Sequence, residues 1–256
     1  MNIGYRLFGW AALIVAFAAS MFVVPTSAPG LSSAKAEPIV LPGIIGGDSR
    51  KRVDSGTAPW NAVGRVNRRF GGFCTGALIA PDQVLTAAHC LYNARARRWP
   101  PAGSLHFVAG YRRSTYVAEA PAIAVENDGI ALDERGRPQE VGEDWAVLTL
   151  DKALPDIMPF PMHRGPLTPF VGEPIVLAAY HQDVAHILSV ETGCRLEEVF
   201  EARRVFIHTC DSAKGASGAP VLASIDGTLT IVGITVGIGK RGGKTVGIGV
   251  RPDLQN

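Results

Sequence analysis

Short runs of strand-forming residues, each cut off by a glycine, a proline or a polar turn, recur along most of this chain. They fall at 62–67, 73–80, 84–88, 105–109, 122–125, 146–150, 175–179, 204–208, 220–223, 228–236 and 244–250. Runs of this length at this spacing predict an all-β sandwich or barrel. The 29 glycines and 18 prolines supply the turns such a fold needs, and they follow no collagen-like period. Helical periodicity is weak, with one short turn expected near 86–92. The stretch 192–200, flanked and filled by Glu191, Glu197 and Glu198, fits a helical insertion or a hairpin equally well.

Composition excludes one chain class and one partner class. A hydrophobic share of 47% is too high for intrinsic disorder. A net charge of +2 is too small for a protein whose binding rests on phosphate contacts, so no nucleic acid is expected. Segment 158–172 carries Pro159, Pro161, Pro166 and Pro169 and suits an extended linker between two half-domains. With roughly 120 residues before it and 85 after, two small barrels sharing an interface fit better than independent domains.

The first 36 residues resemble an export signal. Arg6 supplies the positive start, residues 7–24 carry no charge, and Ala34-Lys35-Ala36 is a signal-peptidase type site. Cleavage after Ala36 leaves a mature chain 37–256 that is periplasmic or secreted, with no membrane contact; a retained anchor is the alternative. In an oxidising compartment Cys74, Cys90, Cys194 and Cys210 favour two disulfides over zinc ligands, as no C-x-x-C pair exists. Three connectivities are open, and the sequence-local one is Cys74–Cys90 with Cys194–Cys210.

Three separated segments carry chemistry: Thr86-Ala87-Ala88-His89-Cys90, Asp144-Trp145-Ala146-Val147-Leu148 and Gly215-Ala216-Ser217-Gly218-Ala219-Pro220. A serine hydroxyl is a poor nucleophile until a base takes its proton, an imidazole titrates in the useful range, and a carboxylate fixes its tautomer. Glycines around Ser217 permit a turn that aims the N–H groups of Gly215 and Ser217 at a developing oxyanion. Asp128, Asp133 and Asp151 compete with Asp144, which is preferred because a strand follows it at once. The G-x-S-x-G elbow of esterases is absent. His106, His163, His181, His186 and His208 show no metal spacing and are read as structural, so neither metal nor cofactor is expected. The arginines at 95, 97, 98, 112 and 113 are read as solvated loop charges.

Taken together, the three segments resemble the chymotrypsin/trypsin-like serine endopeptidases, in the bacterial exported pattern that includes glutamyl endopeptidases. The histidine segment matches residue for residue, the serine segment departs at two positions, and the order His, Asp, Ser is that family's. The resemblance implies two packed six-stranded antiparallel β-barrels, about 44–157 and 170–252, with the site between them. It implies a monomeric endopeptidase acting on protein or peptide substrates through an acyl-enzyme at His89, Asp144 and Ser217. Cys74 falls where the partner of the histidine-loop cysteine lies. A catalytically silent relative that only binds proteins is the competing reading.

Departures from the family pattern bear on activation and specificity. Ile44-Ile45-Gly46-Gly47 is similar to a zymogen's new N-terminus, but Ala216 stands where its carboxylate partner is expected. Asp211, six before Ser217, occupies the position that selects Arg or Lys; capping a turn is its alternative use. Thr235 stands where glutamate-specific members carry histidine, which disfavours Glu.

Overall fold

The computed structural model describes residues 41–254 except Gly46 and Asp128. The expected signal segment 1–36 lies outside the described residues. A two-residue strand β1 (Lys51–Arg52) precedes β2 (Val63–Arg68), β3 (Phe73–Ala80), β4 (Gln83–Thr86), β5 (Leu105–Ala109), β6 (Ala118–Glu126) and β7 (Ala146–Leu150). Strands β2 to β7 close into a barrel in the order β2-β3-β4-β7-β6-β5. The remainder are β8 (Pro174–Ala179), β9 (Ser189–Phe200), β10 (Val205–His208), β11 (Pro220–Ile225), β12 (Thr228–Arg241) and β13 (Lys244–Val250). They run β9-β10-β13-β12-β11-β8, with β8 returning to β9, and β1 adds to one edge of β9. All these strand pairs are antiparallel, and the β8–β9 pairing closes the second sheet, giving two six-stranded barrels.

Burial explains which strands were legible. In β3 the first six residues are buried on both faces: one face fills the barrel, and the other meets the serine loop, where Thr75 N–H donates to Ser217 O at 3.0 Å. Such a doubly covered strand reads as a continuous apolar run. The ambiguous stretch 192–200 belongs to the twelve-residue strand β9. Its alternation is present in buried Cys194 and Leu196 between exposed Arg195 and Glu197, but inward-facing Glu191 and the Thr192-Gly193 pair hide it. The proline-rich segment 158–172 is more than a spacer. Phe160 and Leu167 are buried, and Met162 bridges to Ile231 of β12.

Two disulfides are present, Cys74–Cys90 and Cys194–Cys210, each closing a sixteen-residue separation. The second lies in the apolar core of the second barrel with Ile175, Leu196, Phe206 and Val221. Replacing Cys194 and Cys210 together by alanine is expected to lower unfolding free energy by about 3 kcal/mol, the entropy of releasing such a loop. A urea titration measures it.

Candidate active site

Strand pairing brings the histidine and the carboxylate together. Strands β4 and β7 pair so that Thr86 faces Ala146. His89 follows Thr86 by one short turn, and Asp144 precedes Ala146 by two residues, so both fall at the same end of the ladder. Residues Ala88–Cys90 form a 3-10 turn tied to β3 through the Cys90–Cys74 bond. Asp144 closes another such turn, its N–H donating to Val141 O at 3.0 Å. Its buried carboxylate then accepts twice from His89: Oδ1 from the backbone N–H at 2.9 Å and Oδ2 from Nδ1 at 2.7 Å. The ring is thereby fixed with Nδ1 protonated and Nε2 free to take a proton. Cys90 Sγ lies 3.7 Å from His89 Nε2 and 3.9 Å from Ser217 O, so a single sulfur touches both segments. Both cysteine sulfurs beside His89 are locked in their disulfide and offer no thiolate to a metal.

Ser217 sits at the tip of a tightly anchored loop. Gly215, Ala216, Gly218 and Ala219 are buried around it, and Ser217 alone among these five is partly open to solvent. Thr75 Oγ1 donates to Gly215 O at 3.0 Å, and Gly218 N–H donates to Thr235 O at 2.8 Å. Gly218 has φ +82, and a side chain there would collide with Thr75 O and Thr86 Oγ1. Only glycine lets the serine loop dock against β3 and the end of β4. Gly215, at φ +102, would bring a Cβ within 3.0 Å of Phe73 Cε2. Among the described residues nothing accepts from the N–H groups of Gly215 or Ser217, nor does the Ser217 hydroxyl have a partner. Two unpaired amides thus flank an unpaired alcohol.

The trypsin family pattern matches residues 44–253. The chain belongs to the trypsin family. Glutamyl endopeptidase of Bacillus licheniformis is 25% identical over 193 residues, covering 74% of this chain and 57% of the relative. The chain therefore spans little more than half the length of that curated relative. A solved structure of Glu endopeptidase in complex with MPD shares the fold at a TM-score of 0.66 and 23% identity, covering 81% of this chain and 93% of that chain.

Asp211 departs from the use expected of it in a trypsin-family pocket. Its carboxylate is buried and engaged: Oδ1 accepts from Ile45 N–H at 2.6 Å, and Oδ2 accepts from Ser49 N–H at 3.1 Å and Ser49 Oγ at 3.3 Å. Glu191 joins it, accepting from Asp211 N–H at 2.6 Å and Ser49 Oγ at 2.7 Å, and burial raises its pKa. Gly43 O accepts from Ser212 N–H at 2.8 Å. Asp211 thus anchors Ile45 and Ser49, and both of its carboxylate oxygens are engaged by the protein itself. Ala216, where a trypsin-family zymogen places its carboxylate, lies fully buried among apolar side chains.

Thr235 is fully buried too, and His208, read from the sequence as structural, stands behind it. Cys210 N–H donates to His208 Nδ1 at 3.2 Å, so Nε2 carries the proton and donates to Thr235 Oγ1 at 3.0 Å. Burial pushes the His208 pKa down to about 4, which keeps the ring neutral. Ser212 Oγ, 3.3 Å from Thr235 Oγ1, completes the chain of hydroxyls. The only sequence signal was adjacency, since Ser212 follows Asp211 and His208 precedes Cys210 by two. Beside His89 runs a cleft of about 380 Å³, walled by Val141, Val236, Gly237 and Ile248 and carrying Arg137, which pairs with Asp133 at 2.8 Å.

Proposed function

We propose that this chain is an exported serine endopeptidase in which Ser217 is the nucleophile, His89 the base and Asp144 the residue that holds the base. The observation that carries this reading is the double acceptance of His89 by the buried Asp144 carboxylate, which leaves Nε2 available beside the serine loop. In the reaction Ser217 Oγ attacks the scissile carbonyl carbon while His89 Nε2 takes the hydroxyl proton. Negative charge moves to the carbonyl oxygen, where the Gly215 and Ser217 N–H groups receive it. His89 returns the proton to the leaving amine, the C–N bond breaks, and water repeats the sequence on the acyl-enzyme. The free Ser217 hydroxyl of the resting protein closes on His89 when substrate fills the cleft.

For the side chain before the cleaved bond, we propose acid rather than base, with Glu as the preferred residue. Asp211, the ground for expecting Arg or Lys, is occupied by Ile45 and Ser49. The neighbouring groups are hydroxyls, Ser212 and Thr235, backed by a neutral imidazole. The cation on the cleft wall is Arg137, which is mostly exposed and can turn from Asp133 to a substrate carboxylate. The Bacillus relative is named for the same residue. Digestion of a random peptide library, read by mass spectrometry, is expected to show cleavage after Glu; a profile dominated by Arg or Lys would return Asp211 to the pocket.

A further inference from the structure

Cross-strand register places an arginine on the face of β2–β3 that meets the serine loop. Arg65 pairs directly with Thr75, so the two side chains leave the same face, and Phe73 lies two residues along it. That face is the one whose Thr75 hydroxyl bonds Gly215 O. The Arg65 guanidinium stacks on the Phe73 ring at 3.9 Å from its centroid and on Tyr111 at 4.7 Å. Nη1 donates to Ala185 O at 3.2 Å. No carboxylate pairs with Arg65 among the described residues. Its Nε is buried without a partner, while the residue as a whole is half-buried.

A half-buried cation without a counter-ion is unusual, because desolvation penalises the charge and pairing normally offsets the penalty. Here the aromatic faces offset part of it. They also hold the planar fork still. Its position is what gives this a role. Phe73, under the guanidinium, is one of the groups that a side chain added at Gly215, one of the two amide donors of the proposed oxyanion site, would meet. The Val236–Gly237 wall beside His89 follows Thr235, whose carbonyl accepts from the N–H of Gly218, the residue after Ser217, at 2.8 Å. An extended peptide laid along that wall for its acyl half leaves past Gly215 toward Phe73 and Arg65.

We propose that Arg65 is a specificity residue for the leaving-group half of the substrate and takes a carboxylate there. This rests on the endopeptidase reading above and extends it to the far side of the scissile bond. The carboxylate comes from an acidic side chain within three residues of the bond or from the C-terminus of a short substrate. His186, bonded to Tyr111 Oη at 3.0 Å, and Tyr180, bonded to Tyr111 O at 2.8 Å, fix the aromatic wall.

The test uses matched peptides with the acyl half held constant. One arm compares Glu with Gln at each of the first three positions beyond the bond; a second compares a free C-terminal acid with its amide. The wild-type protein is expected to favour the acid by about tenfold in kcat/KM in one arm, the scale of a charge-assisted hydrogen bond. The Arg65→Met variant, which keeps the stacked stem, is expected to bring that ratio near one, and Arg65→Lys to retain part of it. Titration with a fluorophosphonate counts competent sites in every preparation. Labelled, active wild-type protein with a ratio near one in both arms overturns the Arg65 proposal alone. So does a ratio unchanged in Arg65→Met. Folded wild-type protein that neither labels nor cleaves overturns the endopeptidase reading first.

Discussion

Replacing Ser217 by alanine is expected to abolish labelling by a fluorophosphonate or sulfonyl fluoride and to lower kcat by about 10⁶-fold. Thr75 and Thr86, which pack against the loop, are fully buried and committed to backbone oxygens, Thr75 to Gly215 O and Thr86 to Thr75 O, and Thr235 is fully buried with its hydroxyl bonded to His208. The loop should keep its shape, because its anchors are backbone groups of Ser217, Gly218 and Ala219 rather than the Ser217 side chain. Unchanged thermal unfolding with lost labelling is therefore the expected pair of results. Wild-type protein that folds, stays unlabelled and cleaves nothing would favour the silent, protein-binding relative.

Asp144→Asn is expected to reduce kcat by about 10⁴-fold without loss of the fold. The magnitude follows from which oxygen does what. Oδ1 accepts from the backbone N–H of His89, so the amide oxygen of asparagine must stay there. The amide NH₂ then faces His89 Nδ1, where the native Oδ2 accepted at 2.7 Å. Donor against donor is relieved only if the imidazole moves its proton to Nε2. In that tautomer Nε2 cannot take the serine proton. Raising the pH should recover part of the rate through direct ionisation of the alcohol, and a pH–rate profile distinguishes this from misfolding. A variant retaining most of the wild-type kcat would remove Asp144 from its proposed role.

Local patterns made much of the fold legible. Breakers between short apolar runs marked most strands, because a strand covered on one or both faces must show either alternation or a continuous apolar stretch. The failures share a cause. Strand β9 turns polar groups inward, Glu191 onto Ser49 and Asp211, and such burial is invisible until the partner is known. Similarly, Lys51–Arg52 carries no apolar signal and is a strand only because β9 offers an edge.

The site divides along the same line. His89, Asp144 and Ser217 stood out as candidates because each lies within a contiguous motif whose residue types the proposed chemistry restricts. The role of Asp211 was not. A carboxylate's job depends on what faces it, and Ile45 arrives from 166 residues away. Arg65 was likewise an ordinary strand residue until register set it opposite Thr75 and over Phe73. Sequence by itself therefore determined the strand-and-turn architecture and singled out the three side chains proposed to react. Tertiary structure alone decided which charges are spent on the protein's own backbone and which stay open, because hydrogen-bond partners are assigned by distance in space and not along the chain.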